Sequence, residues 1–150
     1  MRTNDGVMRR KGFTLVELLI VIIIIGILAG AMLLVMGSGT DSAEATKIVS
    51  DLRSLKSAAL LYYGDHHKQE QAPTTDDLKK YMDKEETVAD NYTTVTVSAD
   101  SWWVANSDEN KIPSGVGQKL KDRQKEAGLY AGPTESQPYE GGSYVYMRLR

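Results

Sequence analysis

Lys11-Gly12-Phe13-Thr14-Leu15-Val16-Glu17-Leu18 opens directly into LLIVIIIIGILAGAMLLVM, residues 18–36, and these two pieces decide the fold. The second is nineteen uncharged residues, and at about 1.5 Å per residue a helix of that length covers the roughly 30 Å hydrocarbon core of a bilayer. A secretory signal carries a shorter apolar stretch of about 7–15 residues, followed by a small-x-small cut site. Here the apolar run is too long for that. The junction in front of it carries the information instead: a basic leader ending in glycine, an aromatic at the start of the run, and one carboxylate four residues further on.

Charge is distributed along the chain in the same way. Residues 1–12 hold four basic side chains against Asp5, a formal charge of +3. Residues 13–40 carry Glu17 alone, and residues 41–150 hold fourteen basic against eighteen acidic side chains, a net of −4. Positive residues ahead of the span place the N terminus in the cytoplasm and residue 41 onward across the membrane. An acidic domain of this kind is not built to bind nucleic acid by bulk electrostatics.

The residue inventory narrows the chemistry. With no cysteine the chain has no disulfide framework, thiolate zinc site or cysteine nucleophile. Its two histidines are adjacent, His66 and His67, without metal-ligand spacing, and are expected to be solvated. No nucleophile–base–orienter set and no phosphate-binding glycine loop is present, so the expectation is a non-enzyme without cofactor or metal. Asp108, Glu109 and Asn110 are the tightest cluster of oxygen ligands, and they lack the spaced acidic partners that calcium requires.

The KGFTLVELL junction resembles the processing site of type IV pilins and of the pseudopilins of type II secretion and competence systems. The resemblance implies cleavage after Gly12 by the prepilin peptidase, N-methylation of Phe13 by the same enzyme, and retention of the apolar segment. That segment is a membrane anchor first and a filament core later. It also implies that Glu17 engages the terminal amine of an adjacent subunit and so sets axial register. Physical reasoning independently makes a carboxylate inside the bilayer a functional group in need of a positive partner, although one turn inside the membrane it can also snorkel to water. Gly26 and Gly30 form a G-x-x-x-G surface for close helix packing. Many family members carry proline where this chain has Leu34, so Gly37-Ser38-Gly39 is the expected weak point of the helix.

Beyond residue 40 the chain becomes amphipathic. Ala45, Ile48, Leu52, Leu55, Ala59 and Tyr62 recur at helical spacing, which extends one helix over residues 13–63 with Gly64-Asp65 as its stop. Thr74 or Thr75 caps a short second helix that opens with Asp76 and Asp77; this PTT stretch also resembles the one after the spine helix in major pseudopilins. YTTVTV at residues 92–97 and SWWVA at 101–105 read as antiparallel strands. Trp102 and Trp103 then point to opposite faces, one into the core and one outward. Residues 117–127 read as an exposed helix or ordered loop, 128–142 as a Gly/Pro-rich turn, and 143–149 as a final strand.

These readings give an α+β, pilin-like fold with a long N-terminal helix on a small antiparallel sheet of three or four strands. The expected divisions are a cleaved leader (1–12), a membrane and filament-core helix (13–40) and an extracytoplasmic head (41–150). The implied function is a structural subunit of a type IV pilus or pseudopilus. Its partners would be the prepilin peptidase, the lipid bilayer, an inner-membrane assembly platform and other copies of itself. Many adhesive pilins of the family close a C-terminal loop with a disulfide, which this chain cannot form, and that tilts the choice toward a pseudopilin or toward an organism that avoids extracytoplasmic disulfides. A minor tip subunit that binds a secreted substrate or DNA, and an uncleaved single-span anchored protein, are the alternatives. Eight tyrosines raise electron conduction, but Tyr62, Tyr63, Tyr144 and Tyr146 sit at expected core or strand positions.

Overall fold

The computed structural model describes residues 12–67, 69–82 and 89–150, so the leader expected at residues 1–12 lies outside the described residues except for Gly12. The chain forms two compact units, Met1–Gly37 and Ser38–Arg150. Helix α1 spans Leu15–Asp65, starting two residues later than expected and passing through Gly37-Ser38-Gly39 without a break. The expected weak point is therefore helical: without a proline every backbone N–H there can still donate within the helix.

In the first unit, the stretch long and apolar enough to cross a membrane is Leu15–Leu33, three residues earlier than the composition suggests. Every described large apolar side chain from Phe13 to Val35 is exposed, the least of them, Val21, at 47%. Each such side chain gains about 1.5–3 kcal/mol on leaving water, so this surface needs lipid or another protein to cover it.

In the second unit, α1 contributes Ala45, Val49, Leu52, Leu55, Ala58, Ala59 and Tyr62 to the core. The buried line is close to the expected stripe, with Val49 in place of Ile48, which packs at its margin. Helix α2, Thr75–Lys79, is capped by Thr74, whose side chain accepts from the Asp77 N–H while the Asp77 carboxylate accepts from the Thr74 N–H. Strands β1 (Tyr92–Ser98), β2 (Ser101–Asn106), β3 (Leu129–Tyr130) and β4 (Tyr146–Arg148) form an antiparallel sheet in the order β1-β2-β4-β3. Alternation decides the register: Thr96 faces Trp102, and Thr94 faces Val104, which in turn faces Met147. Trp102, Val104 and Met147 thus share the face that joins the core.

The structure corrects three expectations here. Trp103 does lie on the opposite face from Trp102, but it is 2% exposed, because Tyr130 packs edge-on against it at 5.3 Å and Arg148 sits beside it in register. Residues 117–127 are not simply exposed. They belong to α3 (Ser114–Asp122) and α4 (Gln124–Ala127), and Val116 and Leu120, four apart, are fully buried. The 128–142 turn contains β3, which starts after Gly128 closes α4 in the left-handed conformation (φ 65°).

Among the described residues Asn106 is the buried polar residue of this core. Its Nδ2 donates to the carbonyls of Asn110 (2.7 Å) and Ser143 (2.9 Å), and its Oδ1 accepts from the Val145 N–H (2.7 Å). Asn106→Leu leaves the buried Val145 N–H without its acceptor and takes a donor from the Asn110 and Ser143 carbonyls, of which Ser143 keeps the Ile112 N–H; this should cost about 1–3 kcal/mol and lower the melting temperature by roughly 5 °C or more. Thermal denaturation followed by circular dichroism measures this; an unchanged midpoint contradicts it.

Candidate functional site: the head of the apolar helix

Gly12 and Phe13 precede the helix in non-helical backbone, with Phe13 85% exposed. The scissile position implied by the motif is thus outside the helix and exposed. Thr14 then starts α1. Its N–H and its hydroxyl both donate to Glu17 Oε2 at 2.8 Å, and the Glu17 N–H donates back to Thr14 Oγ1 at 3.2 Å. This is a reciprocal capping box, which satisfies two amides that the first turn would otherwise leave open and sets a negative charge at the positive end of the helix dipole.

Glu17 is therefore not a bare carboxylate in the single subunit: Thr14 holds one of its oxygens 2.8 Å away. Oxygen Oε1 makes no hydrogen bond among the described residues. Thr14 is the residue that attention to Glu17 alone misses, although T-x-x-E ahead of an apolar run is a legible capping signature. Thr14→Val should fray the first turn at a cost of about 1 kcal/mol, whereas Thr14→Ser should keep the box. Amide exchange of Val16 and Glu17 in detergent micelles should quicken for the valine variant alone; equal exchange in both variants contradicts the box.

A Cβ added at Gly26 or Gly30 would meet nothing within 4 Å. Glycine inside a helix costs about 1 kcal/mol relative to alanine, and the fold of the single chain gives nothing in return at these two positions. The other expected sites resolve into structural contacts. His66 stacks on Tyr62 with ring centroids 4.4 Å apart, and the Nδ1 atoms of His66 and His67 lie 3.1 and 2.8 Å from the Tyr62 and Gly64 carbonyls, where they close the end of α1. Asp108 accepts a 2.7 Å hydrogen bond from the Tyr144 hydroxyl, and Asn110 donates to Asn91 Oδ1 at 2.6 Å. Among the described residues no three His, Asp or Glu side chains converge as metal ligands.

The prokaryotic N-terminal methylation motif matches residues 7–33, the junction and the first half of the apolar helix. The type II secretion system core protein G of Escherichia coli is 37% identical over 75 residues, covering 50% of this chain and 48% of that protein. The type IV major pilin protein PilE1 of Neisseria gonorrhoeae is 35% identical over 123 residues, 77% of this chain and 66% of that protein. The chain belongs to the type IV pilin and pseudopilin family. It spans about half the length of the secretion-system relatives it matches. The solved structure of the major type IV pilin PilA1 from Clostridium difficile shares its fold, with a TM-score of 0.53 at 22% identity over 75% of this chain and 98% of that one. The pilin fold, a long apolar N-terminal helix with a four-stranded antiparallel sheet, is thus the fold of this chain, and its motif and relatives support N-terminal processing and filament assembly in general.

Proposed function

We propose that the chain is a prepilin: a structural subunit stored in the bacterial inner membrane, cut after Gly12, methylated at Phe13, and assembled into the helical filament of a type IV pilus or type II secretion pseudopilus. The observation that carries this reading is the apolar helix that opens in the Thr14–Glu17 box and is exposed on every side. Lipid covers that surface before assembly, with the basic leader cytoplasmic and the head across the membrane. Other copies cover it afterwards, with residues 13–40 in the filament core and residues 41–150 outside. Gly26 and Gly30 then have a purpose, since they let neighbouring helices approach closely.

Processing falls to the prepilin peptidase and methylase, and extraction from the bilayer to an inner-membrane assembly platform. The curated relatives named as a core secretion protein and a major pilin favour an abundant subunit. Antibody against the head should label sheared filaments along their whole length in electron micrographs. Label confined to tips contradicts the abundant-subunit reading, and label confined to the cell membrane contradicts assembly.

The head should also stand alone. All of its core lies at Ala45 or beyond, so a fragment starting at Asp41 loses the apolar surface and no core residue. It should be soluble, with a mixed α/β circular dichroism spectrum and a cooperative thermal transition. An unfolded or purely helical fragment contradicts the division at residue 40.

A further inference from the structure

One flank of α1 meets Arg123 and α4 across a groove of about 490 Å³, whose lining includes Thr46, Ser50, Arg53, Ser54, Arg123 and Glu126. Arg123 donates to Thr46 Oγ1 (2.5 Å) and Ser42 Oγ (3.3 Å), while Arg53 reaches only the Glu126 carbonyl at 3.5 Å. Among the described residues neither guanidinium has a carboxylate within 4.0 Å. In a head with a net charge of −4, two guanidiniums that line one groove, outnumber its single carboxylate, Glu126, and pair with none form a socket for an acidic group.

The same head carries a matching projection. Residues 107–110 form a tight turn, with the Asn110 N–H donating to the Ser107 carbonyl at 3.0 Å. Tyr144 holds Asp108, Asn91 holds the Asn110 side chain, and Asn106 donates to the Asn110 carbonyl. Glu109, at the exposed tip, pairs with no described cation. A turn fixed in this way loses little conformational entropy when it docks. Asn110 flanks α1 beside Lys47 and Asp51. At 100° per residue, positions 44, 47, 48 and 51 lie roughly 140° around the helix from positions 46, 50, 53 and 57.

We propose that the Arg53–Arg123 groove of one subunit receives the Asp108–Glu109 turn of a second copy of this chain. Socket and projection sit on different flanks, so the contact joins unlike patches, and where its rotation does not close it repeats into an open helical array, as the filament reading requires. The proposal rests on the filament reading above and supplies one of its lateral contacts.

Charge exchange tests it. Arg53→Glu and Glu109→Arg should each lower the yield of sheared filaments by about tenfold or more, the loss of a charge-assisted contact repeated at every subunit. Membrane levels and the melting of the head should stay unchanged. The double variant should recover to within about twofold of wild type, because the two changes are coupled. In this cysteine-free chain, Ser54→Cys combined with Glu109→Cys should give a disulfide-linked ladder of oligomers when filaments are oxidised. Single variants that assemble like wild type, or filaments of the cysteine pair that yield no ladder, overturn the contact while the filament reading stands. A wild-type chain that forms no filaments overturns both.

Discussion

Glu17→Val should give a protein that is inserted, cleaved and stable in the membrane, yet makes few or no filaments. Valine makes the span more apolar, so insertion improves, and the cut after Gly12 lies five residues upstream. If Glu17 pairs with a neighbour's terminal amine in the proposed filament, that partner disappears, and an unpaired charge in a low-dielectric interior costs about 3–5 kcal/mol. The cost recurs at each subunit. The Thr14–Glu17 box adds a control that separates capping from charge. Glu17→Gln keeps an acceptor at the third helical position and so keeps the box, but it has no charge. It should fail to assemble as valine does, whereas Glu17→Asp should retain part of the function and Thr14→Val should lose only what fraying of the first turn costs. Filament yield in sheared fractions, set against the amount of processed protein in the membrane, measures all four. Wild-type filament yield from Glu17→Val or Glu17→Gln would make Glu17 a capping residue and no more.

Replacing Gly12 by a bulky residue should leave an uncut precursor. In the proposed processing the peptidase accepts the backbone at residue 12 closely, and a Cβ added there meets nothing within 4 Å among the described residues, so an effect of Gly12→Val on cleavage would arise in the enzyme's cleft and not in the fold. The variant should insert normally, migrate as the longer precursor and contribute nothing to filaments, since the leader's three excess positive charges remain attached to the end of the helix. Immunoblots of membrane fractions separate precursor from mature protein, and a normally processed Gly12→Val contradicts this role for glycine.

Much of the fold is legible in the sequence because the signals are local. The span declares itself by composition, β1 and β2 by alternation around the Ala99-Asp100 turn, and α2 by Thr74 followed by Asp77. Elements whose burial depends on distant residues are not. Nothing near Trp103 in sequence announces Tyr130, which covers it from 27 residues away. Helix α3 contains only two large apolar residues, Val116 and Leu120, and both are consumed by the core, so its polar surround conceals a packed face. The two-residue β3 is held by pairing with β4, between glycines and prolines that locally favour turns. The Thr14–Glu17 box is local and readable. The Arg53–Arg123 groove is not, because its two arginines lie 70 positions apart and meet only when α4 folds back on α1.

Processing and assembly are tested together by the intact mass, with N-terminal sequencing, of the native protein taken from sheared filaments. The expected chain begins at Phe13, twelve residues shorter than the translated sequence, and carries one methyl group on its α-amine. A mature protein that retains Met1 or Arg2, or a Phe13 terminus without the methyl group, would contradict the proposed processing.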